Sequence, residues 1–276
     1  MSNARKKSRK TNRMRKIVLG ILTVLFITLG CISWDALAGS KSDSTRGNTT
    51  MLKHIFKDRK IGHQNSVGKK DPSKTPLETG KVVYLTFDDG PNPIASEKIL
   101  SLLDKYNAKA TFFMLKPHIE QNLDIVKKMV DRGHSVGSHG VTHQVSQIYK
   151  SPESFASEMN DTLAVINKAT NSKSHLIRAP YGSKPYITAP FKAVIKRDHF
   201  NLWDWTVDSE DWKLANGAFV NNTIQQVNNL VDTRPLVVLM HEKPTTAAHL
   251  EKLLEYFQKN GYEMKALHDS MEPIQF

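Results

Sequence analysis

The chain has 276 residues, 39% hydrophobic content and four tryptophans, which excludes both a wholly disordered chain and two large domains. Its formal charge of +12 points first to nucleic acid or an anionic surface. The location of the charge excludes a nucleic-acid face: residues 1–80 carry the whole excess, and residues 81–276 hold 22 basic against 22 acidic side chains.

Residues 1–16 hold eight Lys/Arg and no acid, and residues 17–34, IVLGILTVLFITLGCISW, carry no charge. Eighteen helical residues at about 1.5 Å each reach about 27 Å, near the thickness of a bilayer core. Cations before the segment and none directly after it predict a cytoplasmic tail, an anchor at 17–34 and an exported remainder. Ala36-Leu37-Ala38 also fits a signal-peptide cleavage pattern, so secretion after cleavage near Ala38 is the alternative. Cys31 is the only cysteine; no internal disulfide can form, and the exported part rests on its own core. Residues 35–80, rich in Ser, Thr, Asn, Gly and Lys, read as a flexible basic linker.

From residue 81 strands and helices alternate. Val82–Phe87 is a β-branched and aromatic run stopped by Asp88-Asp89-Gly90-Pro91. Ile99, Leu102, Leu103 and Tyr106 mark a helix face. Further strands are expected at Thr111–Leu115, His134–Ser138, His175–Ala179, Phe200–Thr206, Leu236–Met240 and Tyr262–Leu267. Helices are expected at Ile119–Val130, Ser154–Ala169, Phe191–Lys196, Phe219–Leu230 and Leu250–Phe257. The alternation implies a parallel α/β sheet, and 81–276 forms the folded domain.

Polar residues gather at the C-terminal ends of these strands, the edge where parallel α/β proteins build their sites. Asp88 and Asp89 end the first strand and His139 the third, Arg178 the fourth and His241 the sixth, while Asp208 follows the fifth. Each alone has a plainer explanation. Asp-Asp-Gly suits a turn, His139 and His143 suit a solvated loop, and a lone His241 suits a satisfied core histidine. Their convergence on one edge favours chemistry. One carboxylate and two imidazoles make three ligands for a borderline cation and leave a coordination position open. A second carboxylate can take a proton from water, and a separate histidine can protonate a departing amine. That set suits amide hydrolysis.

Thr86-Phe87-Asp88-Asp89-Gly90, His139-Gly140-Val141-Thr142-His143, Arg178-Ala179-Pro180-Tyr181-Gly182, Asp208–Trp212 and Leu239-Met240-His241 resemble the five ordered motifs of the polysaccharide deacetylases, the NodB-homology carbohydrate esterases. The resemblance spans about residues 81–267. It implies a distorted (β/α) barrel of about seven strands. It implies Asp88 as general base and Asp89, His139 and His143 as ligands of a divalent metal, Zn²⁺ ahead of Co²⁺, Fe²⁺ or Mn²⁺. It further implies His241 as general acid tuned by Asp208, and Arg178 orienting Asp88. The Tyr181 amide would hold the oxyanion, with Trp212 and Leu239 walling the acetyl pocket. Gly140 departs from the family's Ser or Thr, so a hydrogen bond supporting the metal loop is expected to be missing. With export, the resemblance implies a peptidoglycan N-acetylglucosamine deacetylase. Chitooligosaccharide, poly-N-acetylglucosamine or N-acetylmuramic acid are alternative substrates, O-acetyl xylan ranks lower, and a non-catalytic glycan-binding module is the alternative from another class.

Overall fold

In β1 (Val82–Gly90) the side chains alternate between two cores, which sets where the polar residues at its end can point. Val83, Leu85 and Phe87 enter the large cluster shared with the helices, whereas Val82 and Tyr84 enter a smaller one with Phe113, Leu176, Trp203, Val237 and Leu267. Thr86 and Asp88 continue the second series, on the concave face. The computed structural model describes residues 73–276; the basic tail, the segment 17–34, Cys31 and most of the linker lie outside the described residues. Among the described residues no helix is long and apolar enough to cross a membrane.

The remaining strands are β2 (Thr111–Met114), β3 (Ser135–Ser138), β4 (Leu176–Ile177), β5 (Asn201–Leu202), β6 (Val207–Asp208), β7 (Leu236–His241) and β8 (Glu263–Lys265). They form one parallel sheet in the order β5-β4-β3-β2-β1-β7-β6, a half-barrel of seven strands, with β8 added beside the start of β1. Helices α1 (Ala95–Lys105), α2 (Lys116–Gln121), α3 (Leu123–Asp131), α4 (Val145–Ile148), α5 (Pro152–Thr170), α6 (Ala189–Arg197), α7 (Ala218–Leu230) and α8 (Pro244–Lys259) accompany it. The expected distorted (β/α) barrel of about seven strands is therefore present, open on one side as a half-barrel. Fully buried Leu250, Leu253, Leu254 and Phe257 form the inner face of α8, and each such side chain contributes about 1.5–3 kcal/mol on burial.

Three local expectations change. The run Phe200–Thr206 is not one strand. Asn201–Leu202 pair with β4 at one edge, and Val207–Asp208 pair with β7 at the other. The chain between them spans the open side of the half-barrel: the Trp203 N–H donates to Ile177 O at 2.9 Å and the Thr206 N–H to Val237 O at 3.0 Å. The helix expected over Ile119–Val130 breaks at Asn122, whose carbonyl accepts from Ile125 N at 3.0 Å while its own N–H donates to Ile119 O. The folded unit also begins before Lys81. Thr75 bridges to Met271, and Leu77 packs against the inner cluster, although both fall within the expected linker.

Candidate active site

The first element of the site is the end of β1. Asp89 has φ +72°, a left-handed conformation that aspartate tolerates better than most residues. This turn separates the two carboxylates. Asp88 stays in the sheet's inward series and is 3% exposed, with Oδ1 accepting from Arg178 Nη1 at 2.9 Å. Asp88 Oδ2 lies 3.7 Å from His139 Nε2. Asp89 Oδ1 lies 3.6 Å from His139 Nε2 and 3.5 Å from His143 Nε2. That oxygen is buried and makes no hydrogen bond.

An orphaned carboxylate oxygen facing two imidazole nitrogens is what a cation site requires of its donors. Asp89, His139 and His143 form such a trio, with ligand atoms within 4.8 Å of one another. His139 Nδ1 sits 2.8 Å from Arg178 O; as donor to that carbonyl it leaves Nε2 with the lone pair that a cation needs. The residues fit a divalent metal, and the hard-and-borderline donor set suits Zn²⁺ among others. Burial pulls the His143 pKa below its ordinary value, with neighbouring His139 adding to the effect, so this ring is held neutral. Burial would raise the Asp89 carboxyl, but His139, His241, His143 and Lys243 together outweigh it and hold the group ionised.

Arg178 is fully buried. Its guanidinium donates to Thr86 Oγ1 at 2.6 Å, Asp88 Oδ1, Trp203 O at 3.2 Å and Asp204 O at 3.1 Å, and lies over the Phe113 ring. A buried cation with this many acceptors is fixed in place, and it fixes Asp88. Three residues on, Tyr181 (φ +66°) turns its ring to 4.7 Å from His143, and its hydroxyl donates to His143 O at 3.1 Å.

The resemblance pairs His241 with Asp208, but the structure joins it to Asp211. Asp211 Oδ1 is 2.7 Å from His241 Nδ1, and Oδ2 accepts from His241 N at 2.8 Å and Thr246 Oγ1 at 2.5 Å. The cause is the turn after β6. Asp208 Oδ1 accepts from the Glu210 N–H at 2.9 Å, and Glu210 at φ +55° redirects the chain so that Asp211 enters beneath β7, 5% exposed. Asp208 pairs in register with Leu239 and lines the cleft instead. Burial would lower the His241 pKa, but the bond and charge of Asp211 prevail and raise it. Burial raises the Asp208 carboxyl.

All ten residues singled out from sequence belong to one place. A cleft of about 420 Å³ is lined by Asp88, Asp89, His139, His143, Tyr181, Asp208, Trp212, Leu239 and His241, together with Trp205 and Lys243; Arg178 lies behind it. Trp212 and Tyr181 are each 55% exposed at its rim, offering faces on which a sugar ring can stack. Glu158 answers the departure at Gly140. Its Oε2 accepts from the Val141 and Thr142 N–H groups at 2.8 and 2.9 Å, and Thr162 Oγ1 donates to Gly140 O at 2.9 Å. The loop carrying both histidines is thus held from helix α5.

A parallel half-barrel with an aspartate and two histidines grouped as a cation site, and a carboxylate and a further histidine placed as base and acid at its C-terminal edge, is the arrangement of a hydrolase. The family model for polysaccharide deacetylases matches residues 77–200. YheN of Bacillus subtilis, assigned to the polysaccharide deacetylases, is 36% identical over 93% of this chain and 91% of its own. A peptidoglycan-N-acetylglucosamine deacetylase of Bacillus cereus is 29% identical over 97% of each chain. The crystal structure of the polysaccharide deacetylase Bc1974 from Bacillus cereus superposes with a TM-score of 0.65 at 33% identity, covering 71% of this chain and 97% of that one. This chain belongs to the polysaccharide deacetylases, the carbohydrate esterases with the NodB fold.

Proposed function

We propose that this deacetylase removes acetyl groups from the N-acetylglucosamine residues of peptidoglycan and does so with a divalent metal. The observation that carries the chemistry is the division of labour at the end of β1: Asp88 bound to Arg178, and Asp89 Oδ1 left without a hydrogen bond between two imidazoles. The support for the substrate is the full-length similarity to a peptidoglycan-N-acetylglucosamine deacetylase.

In the proposed reaction Asp89, His139 and His143 hold the metal, which when bound supplies Lewis-acid polarisation of the acetamide carbonyl. Asp88 takes a proton from the attacking water as its oxygen adds to the carbonyl carbon. Arg178 occupies Asp88 Oδ1 and so directs the basic Oδ2 into the cleft. His241, whose Nδ1 is engaged by Asp211, gives a proton from Nε2 to the sugar nitrogen as the C–N bond breaks. Acetate and a free amine leave. Leu239 and Trp212 wall the space for the methyl group, and the Tyr181 amide, which donates to no group among the described residues, faces the developing oxyanion. The charge-free stretch at 17–34 behind a basic tail supports a site held outside the membrane.

The test is acetate release from purified peptidoglycan, chitin oligomers and acetylated xylan, with products mapped by mass spectrometry. Glucosamine in muropeptides is expected, and a chelator should abolish it. Release from chitin oligomers alone would overturn the substrate, and release indifferent to thorough chelation would overturn the metal. Binding to glycan with no acetate released from any substrate would favour a non-catalytic module.

A further inference from the structure

Directly after His241 the chain buries a carboxyl that the reaction above does not use. Glu242 is 3% exposed, and its backbone N–H donates to Asp88 O at 3.0 Å. Its side chain runs back beneath the turn that ends β1. Oε2 accepts from Ser96 Oγ at the start of α1, and Oε1 makes no hydrogen bond. Ser96 Oγ also accepts from the Asn92 N–H at 2.8 Å. The carboxyl lies against the Gly90 Cα so closely that a Cβ at Gly90 would sit 1.6 Å from Oε1 and 2.0 Å from Cδ. Gly90 is not in the left-handed region, so space alone excludes a larger residue there. One side chain thus ties the ends of β1 and β7 to the N-terminus of α1, immediately behind Asp88 and Asp89.

We infer that Glu242 is a positioning residue: its carboxyl, seated in the socket left by the missing Gly90 side chain, sets the turn that separates Asp88 from Asp89. A hydrophobic filler would occupy the same space with no need for the Ser96 bond, and burying a carboxyl costs free energy that nothing in the core's packing explains. Burial, with Asp88 and Asp89 adding to it, pushes the Glu242 pKa up to about 8, Ser96 opposing. An uncharged carboxyl can sit beside two carboxylates, and Gln reproduces its shape.

This inference rests on the proposed roles of Asp88 and Asp89, and its experiment separates the two. Glu242→Gln should keep kcat/KM within about 3-fold of the parent, whereas Glu242→Ala should lose about 10–100-fold, mainly in kcat, and bind Zn²⁺ more weakly by a similar factor in a competition titration. Gly90→Ala expels the carboxyl from its socket, so it should copy Glu242→Ala, and the double variant should be no worse than either single one. Losses that multiply in the double variant, or a Glu242→Ala protein with parental Zn²⁺ affinity and kcat, would overturn the positioning role. A parent that binds Zn²⁺ but releases no acetate from any glycan would instead overturn the reaction, while the affinity comparison among variants would still read the turn.

Discussion

Asp211 holds His241 through both of its oxygens, one on the ring Nδ1 at 2.7 Å and one on the backbone N–H at 2.8 Å. The arrangement orients the ring and raises its pKa above the ordinary histidine value in spite of burial. A raised pKa keeps the proposed acid protonated to higher pH, so activity persists there and falls as pH rises through the folded-state pKa. Asp211→Asn should move that alkaline limb to lower pH and reduce kcat by about 10²-fold or more. Asp208→Asn should leave the limb in place. A pH profile of kcat for the two variants decides between the carboxylates, and a limb that moves only with Asp208 would reverse the assignment.

The Asp88–Arg178 pair makes a second separation possible. Asp88→Asn retains the shape and an oxygen for Arg178 but cannot take a proton. Turnover should fall about 10²–10⁴-fold while metal content, measured by elemental analysis, stays at the parental value. Loss of metal together with turnover would make Asp88 a ligand. Arg178→Leu leaves a buried carboxylate unpaired, and should cost about 3–5 kcal/mol of stability in denaturant unfolding besides its effect on rate.

These two predictions also mark what the sequence could and could not show. The β-branched run Val82–Phe87 and its abrupt stop at Asp88-Asp89-Gly90 make β1 and its carboxylates readable by local pattern alone. Asp208 and Asp211 lie three residues apart in one motif. Which of them turns under β7 depends on the positive φ of Glu210 and on a register across to Leu239, neither of which leaves a compositional mark. Phe200–Thr206 reads as one strand because Phe200, Leu202, Trp203 and Trp205 make it a largely aromatic and apolar run. Its polar members Asn201 and Asp204 are buried like their apolar neighbours as the chain crosses from one sheet edge to the other, so polarity does not mark the break. The Glu242–Gly90 contact joins residues far apart in the chain, and only the fold brings them together.

The histidine loop supplies a third prediction. Glu158 accepts two loop N–H groups and the Thr142 hydroxyl, at 2.8 Å for the last, where the family usually places a hydroxyl residue at the position of Gly140. Glu158→Ala leaves these donors without a partner and frees the segment between His139 and His143. Zn²⁺ affinity should fall about 10–100-fold, with substrate KM less affected once metal is saturating. Unchanged affinity in a competition titration would show that the two histidines are placed by their strand and helix alone.

Acid stability supplies the fourth, from the opposite end of the sheet. His134 is 5% exposed, its Nδ1 accepts from the Ala110 N–H at 3.2 Å, and its Nε2 makes no hydrogen bond. Burial, with the Lys109 charge adding to it, lowers its pKa to about 4. The unfolded chain's histidine takes up its proton near pH 6.5, before the folded one does. The stabilisation is therefore complete above about pH 6.5 and is lost as pH falls through 4, amounting to about 3 kcal/mol from the difference between the two values. His134→Leu gives up the Ala110 bond at every pH but cannot titrate. Urea unfolding at pH 7 and pH 4.5 should show the parent losing more stability across that interval than the variant. Equal losses would mean that the acid sensitivity of the domain lies in other groups, because removing the only proton acceptor at this position would have left it unchanged.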